Sequence, residues 1–218
     1  EWKDKRVVID FEGIMYVGDV YLNGKRIGGT DYGYVGFEID VTNLLQYDAP
    51  NILAVKADTR KPNNSRWYTG GGLFRHVNVV VTDPKLYLMR HPFYITTPNV
   101  STEEAEVCVQ VEVACHDRHP VMAELVIVNG EGKEVVRKVQ EFKRRQSTYE
   151  YRFDTLKLIR PQLWDCEHPH LYTAEVVLYR PDGTVADRVT ERFGVRKLEF
   201  SPEYGMKLNG EKVILKGI

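Results

Sequence analysis

Apolar and polar residues alternate with a period of two along most of the chain. In the segment 6–12, apolar side chains share one face, and Asp10 and Glu12 share the other. Because successive side chains of a strand point to opposite faces, this pattern predicts a half-buried strand. Comparable runs predict further strands over the segments 19–22, 37–41, 52–57, 76–82, 106–114, 123–128, 148–153, 171–179 and 185–192.

Turn signals between these runs predict antiparallel pairing. Asn-Gly and Asp-Gly pairs tolerate positive φ at both central positions of a tight hairpin turn. They occur at Asn23-Gly24, Asn129-Gly130, Asp182-Gly183 and Asn209-Gly210. Helical character is confined to one turn over 41–47, which Thr42 would cap with Leu44 and Leu45 facing inward. The pattern therefore predicts an all-β protein.

Two prolines divide the chain. Pro84 follows a predicted strand, and proline cannot donate a ladder hydrogen bond, so the strand should end there. A second boundary lies near Pro202. We therefore predict domains over 1–84 and 85–200, followed by a short segment over 201–218. The second domain has the size and strand count of an immunoglobulin-like sandwich. The first has about five predicted strands, so we expect strands missing upstream or another surface covering its edges.

Composition narrows the classes of partner. The formal net charge is −1, which favours neither nucleic acid nor an anionic membrane as a partner. The 3 cysteines cannot form a complete disulfide framework. No apolar run approaches the ~20 residues of a membrane helix. The compartment is left open between bacterial periplasm and cytoplasm, and so is the oligomeric state, a homo-oligomer included.

Short motifs in the first domain occur in an order typical of one enzyme family. They are FEG at 11–13, VYLNGK at 20–25, FEIDVT at 37–42, NILAV at 51–55 and RWYTGGGLFRHV at 66–77. Together they resemble the second half of the N-terminal jelly-roll domain of glycoside hydrolase family 2. That family includes β-galactosidases, β-glucuronidases and β-mannosidases.

Motifs in the rest of the chain continue the resemblance. LWDCEHPHLY at 163–172 is similar to the end of the family's immunoglobulin-like domain. FGVRK at 193–197 and GMKLNGEKVILKG at 205–217 resemble the segment that leads into its (β/α)8 barrel. The resemblance implies a partial jelly-roll β-sandwich, then an immunoglobulin-like β-sandwich, then a hairpin leading toward a barrel that the chain lacks.

The resemblance also implies a function. Retaining glycosidases use two carboxyl groups ~5–5.5 Å apart, and in this family both lie on the barrel. The chain is thus expected to hold no catalytic residue and to be inactive alone. It would be an accessory region of a retaining glycoside hydrolase, a β-galactosidase by expectation, with the barrel as its intramolecular partner and a carbohydrate as substrate.

One loop is the candidate for contact with sugar. The family loop before the last jelly-roll strand reaches the mouth of the active site, and the matching residues are Ser65, Arg66, Trp67 and Tyr68. Relatives often have an acidic residue just before the position of Trp67, and this chain has Ser65 and Arg66 instead. Arg66 is the candidate partner for a polar or anionic group, and Trp67 or Tyr68 for stacking. Alternatively, Trp67 belongs to the core and the following glycines only permit a turn.

The sequence gives weaker evidence for a metal site, a cofactor site or another kind of catalytic site. Cys115, His116 and His119 lack a fourth ligand at zinc spacing, so we predict no metal site. No phosphate-loop or nucleophile-elbow motif indicates a cofactor or a serine hydrolase, and none is predicted. Two other classes stay open, a stand-alone carbohydrate-binding or adhesion module and a structural spacer. The apolar residues at 213–215 favour the accessory region, because they need a further surface to pack against and a free module would end before them.

Overall fold

A computed structural model describes residues 1–60, 70–143 and 147–215. These residues form two compact units, Glu1–Pro84 and Lys85–Ile218. All the regular elements within the described ranges are β-strands, which confirms the predicted all-β class. The assignment of separate roles to 85–200 and 201–218 stays a prediction.

The unit Glu1–Pro84 contains two three-stranded antiparallel sheets and a two-stranded ribbon. The strands are β1 (Arg6–Phe11), β2 (Ile14–Met15), β3 (Val17–Leu22), β4 (Lys25–Thr30), β5 (Phe37–Asp40), β6 (Leu53–Asp58), β7 (Gly72–Leu73) and β8 (Val77–Thr82). The sheets have the orders β5-β1-β8 and β4-β3-β6, and β2 pairs with β7. Apolar side chains from β1 and β3 meet in one buried cluster, so the two sheets pack as a sandwich.

The first strand is buried on both faces, which corrects the prediction of a half-buried strand. Asp10 is only 8% exposed and Val8 is fully buried, although both lie on the face predicted to be polar. β1 is the central strand of its sheet, between β5 and β8. Alternation in sequence records the polarity of side chains, whereas their burial depends on what packs over them.

The predicted helical turn over 41–47 does not form a helix. The backbone makes a single turn in which the N–H of Leu44 donates to the carbonyl of Val41 at 2.8 Å. The hydroxyl of Thr42 accepts a hydrogen bond from the N–H of Val7 at 3.0 Å instead of capping a helix. Leu45 packs against the core as predicted, but Leu44 is exposed, because adjacent side chains of a helical turn point in different directions.

The unit Lys85–Ile218 contains two four-stranded sheets and a three-stranded one. Its strands are β9 (Leu86–Thr96), β10 (Glu104–Cys115), β11 (Val121–Val128), β12 (Glu134–Phe142), β13 (Thr148–Arg152), β14 (Leu156–Ile159), β15 (Tyr172–Tyr179), β16 (Val185–Phe193), β17 (Leu198–Ser201), β18 (Gly205–Leu208) and β19 (Glu211–Val213). β10 pairs with β9, β13 and β14, and the second sheet has the order β12-β11-β15-β16. The third sheet is β17-β18-β19.

Alternation in β10 and β11 builds the core of this sandwich. Every second side chain of each strand is buried and packs against the opposite sheet in one continuous cluster. The sequence pattern missed β9, β12 and β14. β12 has little buried surface and many charged residues, whereas β14 is only 4 residues long. These strands are defined by hydrogen bonds to a neighbouring strand. The alternation of apolar and polar residues does not reveal such hydrogen bonds.

Two of the four predicted tight turns have the expected geometry. Asn23-Gly24 joins β3 to β4 and Asn209-Gly210 joins β18 to β19, with positive φ at all four residues. The prediction was wrong for Asn129-Gly130, where positive φ occurs at Gly132 and the Asn129 side chain accepts hydrogen bonds from the loop backbone. The Asp182-Gly183 turn has positive φ only at Gly183. Longer loops use a single left-handed residue.

The described residues contain no helix with the length and apolar character needed to cross a membrane.

Candidate functional site

The four predicted sugar-contact residues, Ser65, Arg66, Trp67 and Tyr68, lie outside the described residues. The structure instead describes the chain on both sides of them, through residue 60 and from residue 70 onward. These two flanks establish where the predicted contact loop leaves and rejoins the first sandwich.

The incoming flank is held by an acid–base pair. Strand β6 ends at Asp58, whose carboxylate accepts hydrogen bonds from the backbone N–H and the guanidinium of Arg60, at 3.0 and 2.5 Å. These donors hold the pKa of Asp58 well below its usual range. Both side chains are thus charged at neutral pH, and they fix the direction in which the chain leaves the strand.

The outgoing flank lies against the incoming one. A Cβ added to Gly71 would come within 2.6 Å of Thr59 Cγ2, so glycine permits the two flanks to approach closely. The next residue, Gly72, has φ of 92° and pairs with Met15 in the β2–β7 ribbon. The glycine run therefore has a structural task of its own, which is to bring residues 59 and 71 together.

A second hydrogen-bonded pair of polar side chains lies next to the outgoing flank. The ring of His76 is 3.2 Å from the carboxylate of Glu12, and the backbone N–H of Glu12 donates to the carbonyl of His76 at 3.1 Å. The hydrogen bond from His76 is the main cause of the lowered pKa of Glu12. Sequence reasoning placed Glu12 on the polar face of a strand and did not connect it with His76, since 64 residues separate them.

The first unit also exposes aromatic rings that the sequence pattern missed. Tyr32 and Tyr34 are 54% and 50% exposed, and Phe74 is 43% exposed. The two tyrosine rings contact each other edge to face with centroids 5.7 Å apart. The alternation of aromatic residues with glycines over 32–36 was the available signal, but it lies in a loop, where period-two patterns have no meaning.

The carboxyl groups whose pKa departs from its usual value all have a lowered pKa. In the described part of the chain, each Asp or Glu with a resolved shift has a lowered pKa, because neighbouring donors stabilise the carboxylate. A general acid in glycoside hydrolysis needs a raised pKa. These groups are therefore ionised hydrogen-bond acceptors at neutral pH. Over residues 1–60, 70–143 and 147–215, no three His, Cys, Asp or Glu side chains cluster as metal ligands.

The second unit has an open groove of about 520 Å³ beside the family motif at 163–172. Trp164 and Arg196 line it, with the guanidinium carbon 4.6 Å from the ring centroid. Trp164 also packs on Gly194, where a Cβ would lie 2.7 Å from the Trp164 side chain. Trp164 is half-buried, and Tyr172 is the buried aromatic of this motif. The groove follows from the packing of the motif on the end of β16.

Two family models match consecutive parts of the chain. "Glycosyl hydrolase 2 galactose-binding domain-like" matches residues 1–91, and "Glycosyl hydrolases family 2" matches residues 92–196. Together the two models cover residues 1–196 without a gap. The chain belongs to glycosyl hydrolases family 2.

Curated relatives and solved structures agree with this assignment. A β-galactosidase of Bacteroides ovatus is 30% identical over 96% of this chain. A β-glucuronidase of Bacteroides fragilis is 28% identical over the whole chain. The crystal structure of a family 2 member from Bacteroides cellulosilyticus superimposes with a TM-score of 0.92 and 33% identity over 99% of the chain. The chain spans 25%, 33% and 29% of these three proteins, respectively.

Proposed function

We propose that this chain is the non-catalytic accessory region of a retaining β-glycosidase, specifically a β-galactosidase, and that a (β/α)8 barrel elsewhere in that enzyme performs the chemistry. The observation that carries the proposal is the match of both family models, in order, over residues 1–196. The lowered pKa values of the shifted carboxyl groups support it, because none of these groups suits the role of general acid.

Activity assays on the whole enzyme and on the 218-residue chain test this proposal. We expect the enzyme that contains this chain to hydrolyse 4-nitrophenyl β-galactoside with retention of configuration, and the chain alone to release no nitrophenol. The matched substrate is 4-nitrophenyl β-glucuronide. Preference of the enzyme for the glucuronide would contradict the assignment to galactose, and hydrolysis by the chain alone would contradict the absence of catalytic residues.

We further propose that Ser65, Arg66, Trp67 and Tyr68 contact the sugar at the mouth of the barrel's active site. Support comes from the family loop that they match and from the two flanks, which lie against each other at Thr59 and Gly71. A loop with both ends held in this way can present a binding group at a small entropic cost. Arg66 would donate hydrogen bonds to a polar group of the sugar, and an aromatic neighbour would cover its apolar face.

The predicted effect of Arg66→Ala in the whole enzyme is a rise in KM of about tenfold with kcat little changed. A contact made equally in the ground state and the transition state contributes to binding alone. The control is Arg26→Ala, on the exposed side of β4, where a surface pair with Asp19 contributes little. If KM and substrate preference for the Arg66 variant equal those of the control, Arg66 does not contact the sugar.

A further inference from the structure

The three Asn-Gly pairs of this protein lie in turns, but their asparagine side chains are held in different ways. The pairs are Asn23-Gly24, Asn129-Gly130 and Asn209-Gly210. In each pair the asparagine is partly buried and the glycine is exposed, so access to solvent does not distinguish them. An Asn-Gly pair can lose its side-chain nitrogen by deamidation, because glycine has no Cβ to shield its backbone nitrogen from the preceding side-chain amide. The hydrogen bonds of each asparagine are what differ.

Asn23 and Asn209 are tied to other segments through both ends of the side-chain amide. The Asn23 amide accepts a hydrogen bond at 2.9 Å and donates one at 3.0 Å, both with residues 51–52. The Oδ1 of Asn209 accepts from the N–H of Lys197 at 2.9 Å, and its Nδ2 donates to the carbonyl of Trp164 at 3.0 Å. Deamidation at either position must therefore break a tertiary hydrogen bond of the nitrogen that leaves.

The Asn129 side chain is bonded only within its own loop. Its Oδ1 accepts hydrogen bonds from the N–H groups of Glu131 at 3.1 Å and Lys133 at 2.9 Å. In the part of the chain that the structure describes, no group accepts a hydrogen bond from its Nδ2. Two donors on the amide oxygen stabilise the negative charge that develops there when a nucleophile attacks Cγ. The amide of Asn129 is thus activated at its oxygen, and its nitrogen is not held.

We propose that Asn129-Gly130 is a site of spontaneous deamidation in the folded protein, and that the folded structure protects Asn23 and Asn209. The backbone nitrogen of Gly130 gives its proton to water and forms a bond to Asn129 Cγ. The bond from Cγ to Nδ2 then breaks, and Nδ2 takes up a proton and leaves as ammonia. Water opens the resulting succinimide ring at either carbonyl, which leaves aspartate or isoaspartate at position 129. This chemistry is independent of the function proposed for the chain.

The isoaspartate product changes the turn between β11 and β12. In the unmodified turn, the carbonyl of Asn129 accepts from the N–H of Gly132 at 2.9 Å, and the N–H of Asn129 donates to the carbonyl of Lys133 at 2.9 Å. In isoaspartate the link to Gly130 runs through the former side chain, which lengthens the main chain and displaces Gly132 from the carbonyl. Both products also add a negative charge beside β12, which is an edge strand of its sheet.

Peptide mapping by mass spectrometry of the 218-residue chain tests the site. The folded chain is incubated in mildly alkaline buffer, which favours loss of the proton from the attacking nitrogen, and conversion at the three asparagines is followed in the same sample. We expect Asn129 to convert at least about tenfold faster than Asn23 or Asn209, the effect of one additional hydrogen bond to a developing negative charge. In denaturing urea this difference should disappear, because the three pairs then differ only in their neighbours.

Gly130→Ala makes the test specific to the attacking nitrogen. Its Cβ would meet only the carbonyl oxygen of Leu171, at 3.5 Å, so the fold tolerates it. The added methyl group shields the nitrogen, and Asn129 should lose its lead over Asn23 and Asn209. Three outcomes would overturn the proposal. They are conversion at Asn129 no faster than at the other two in the folded chain, a lead of Asn129 that persists in urea, and a lead that Gly130→Ala leaves unchanged.

Discussion

Single glycines determine how closely segments of this protein approach each other. Gly194 follows β16, and the Trp164 side chain lies against it. The N–H of Trp164 donates to the carbonyl of Val195 at 2.9 Å, and the Asn209 side chain donates to the carbonyl of Trp164 at 3.0 Å. These contacts of Trp164 join the family motif at 163–172 to the end of β16 and to the C-terminal sheet.

Gly194→Ala is predicted to lower the free energy of unfolding by about 1–3 kcal/mol, the usual cost of overpacking. Its Cβ would lie 2.7 Å from Cβ and Cγ of Trp164, so ring or backbone must shift. The matched control is Gly130→Ala, whose Cβ would meet only the carbonyl oxygen of Leu171, at 3.5 Å. Urea unfolding of both variants measures the difference. Equal stability of the two would show that the packing of Trp164 on residue 194 is not needed.

At the scale of elements, a polar network links neighbouring strands of the second sandwich. Glu124 of β11 accepts a hydrogen bond from the Tyr179 hydroxyl of β15 at 2.7 Å and is paired with Arg137 of β12. The Tyr179 hydrogen bond is the largest cause of the lowered pKa of Glu124, with Arg137 next among the groups that lower it. Arg188 of β16 also lowers it. Residues on both sides of Glu124 in β11 point into the core, so the network lies on the outer face of this sheet.

Tyr179→Phe is predicted to lower the free energy of unfolding at pH 7 by about 1 kcal/mol, the net value of one hydrogen bond. The pKa of Glu124 is lower in the folded state than in the unfolded chain. The network thus stabilises the fold above the unfolded pKa of about 4.3, and this stabilisation is lost as the pH falls through the folded value. The difference from the wild type should therefore shrink in acid.

Thermal unfolding at several pH values measures this difference. Tyr94→Phe is the control, because Tyr94 is 63% exposed on β9. A Tyr179→Phe effect that is equal at pH 7 and in acid would contradict the role of the ionised Glu124.

At the scale of the whole molecule, the chain is two β-sandwich units that match family 2 models in sequence and part of a family 2 member in structure. Family membership was predicted from motifs spread over the chain, and the comparisons confirm it. The candidate site was predicted less completely. The motif at 66–77 predicts a contact loop, and that loop stays a prediction because Ser65, Arg66, Trp67 and Tyr68 lie outside the described residues. The exposed rings of Tyr32, Tyr34 and Phe74 and the Glu12–His76 pair were found only in the structure.

Local sequence determined the all-β class, most strand positions, two tight turns and the family. Each of these depends on neighbouring residues, through side-chain periodicity or the tolerance of Asn and Gly for positive φ. Tertiary structure alone decided that Asp10 is buried, that Leu44 is exposed and that Phe74 lies beside Gly13 and Gly33. These properties depend on contacts between residues far apart in sequence, and a residue's own polarity carries no record of which distant segment will pack against it.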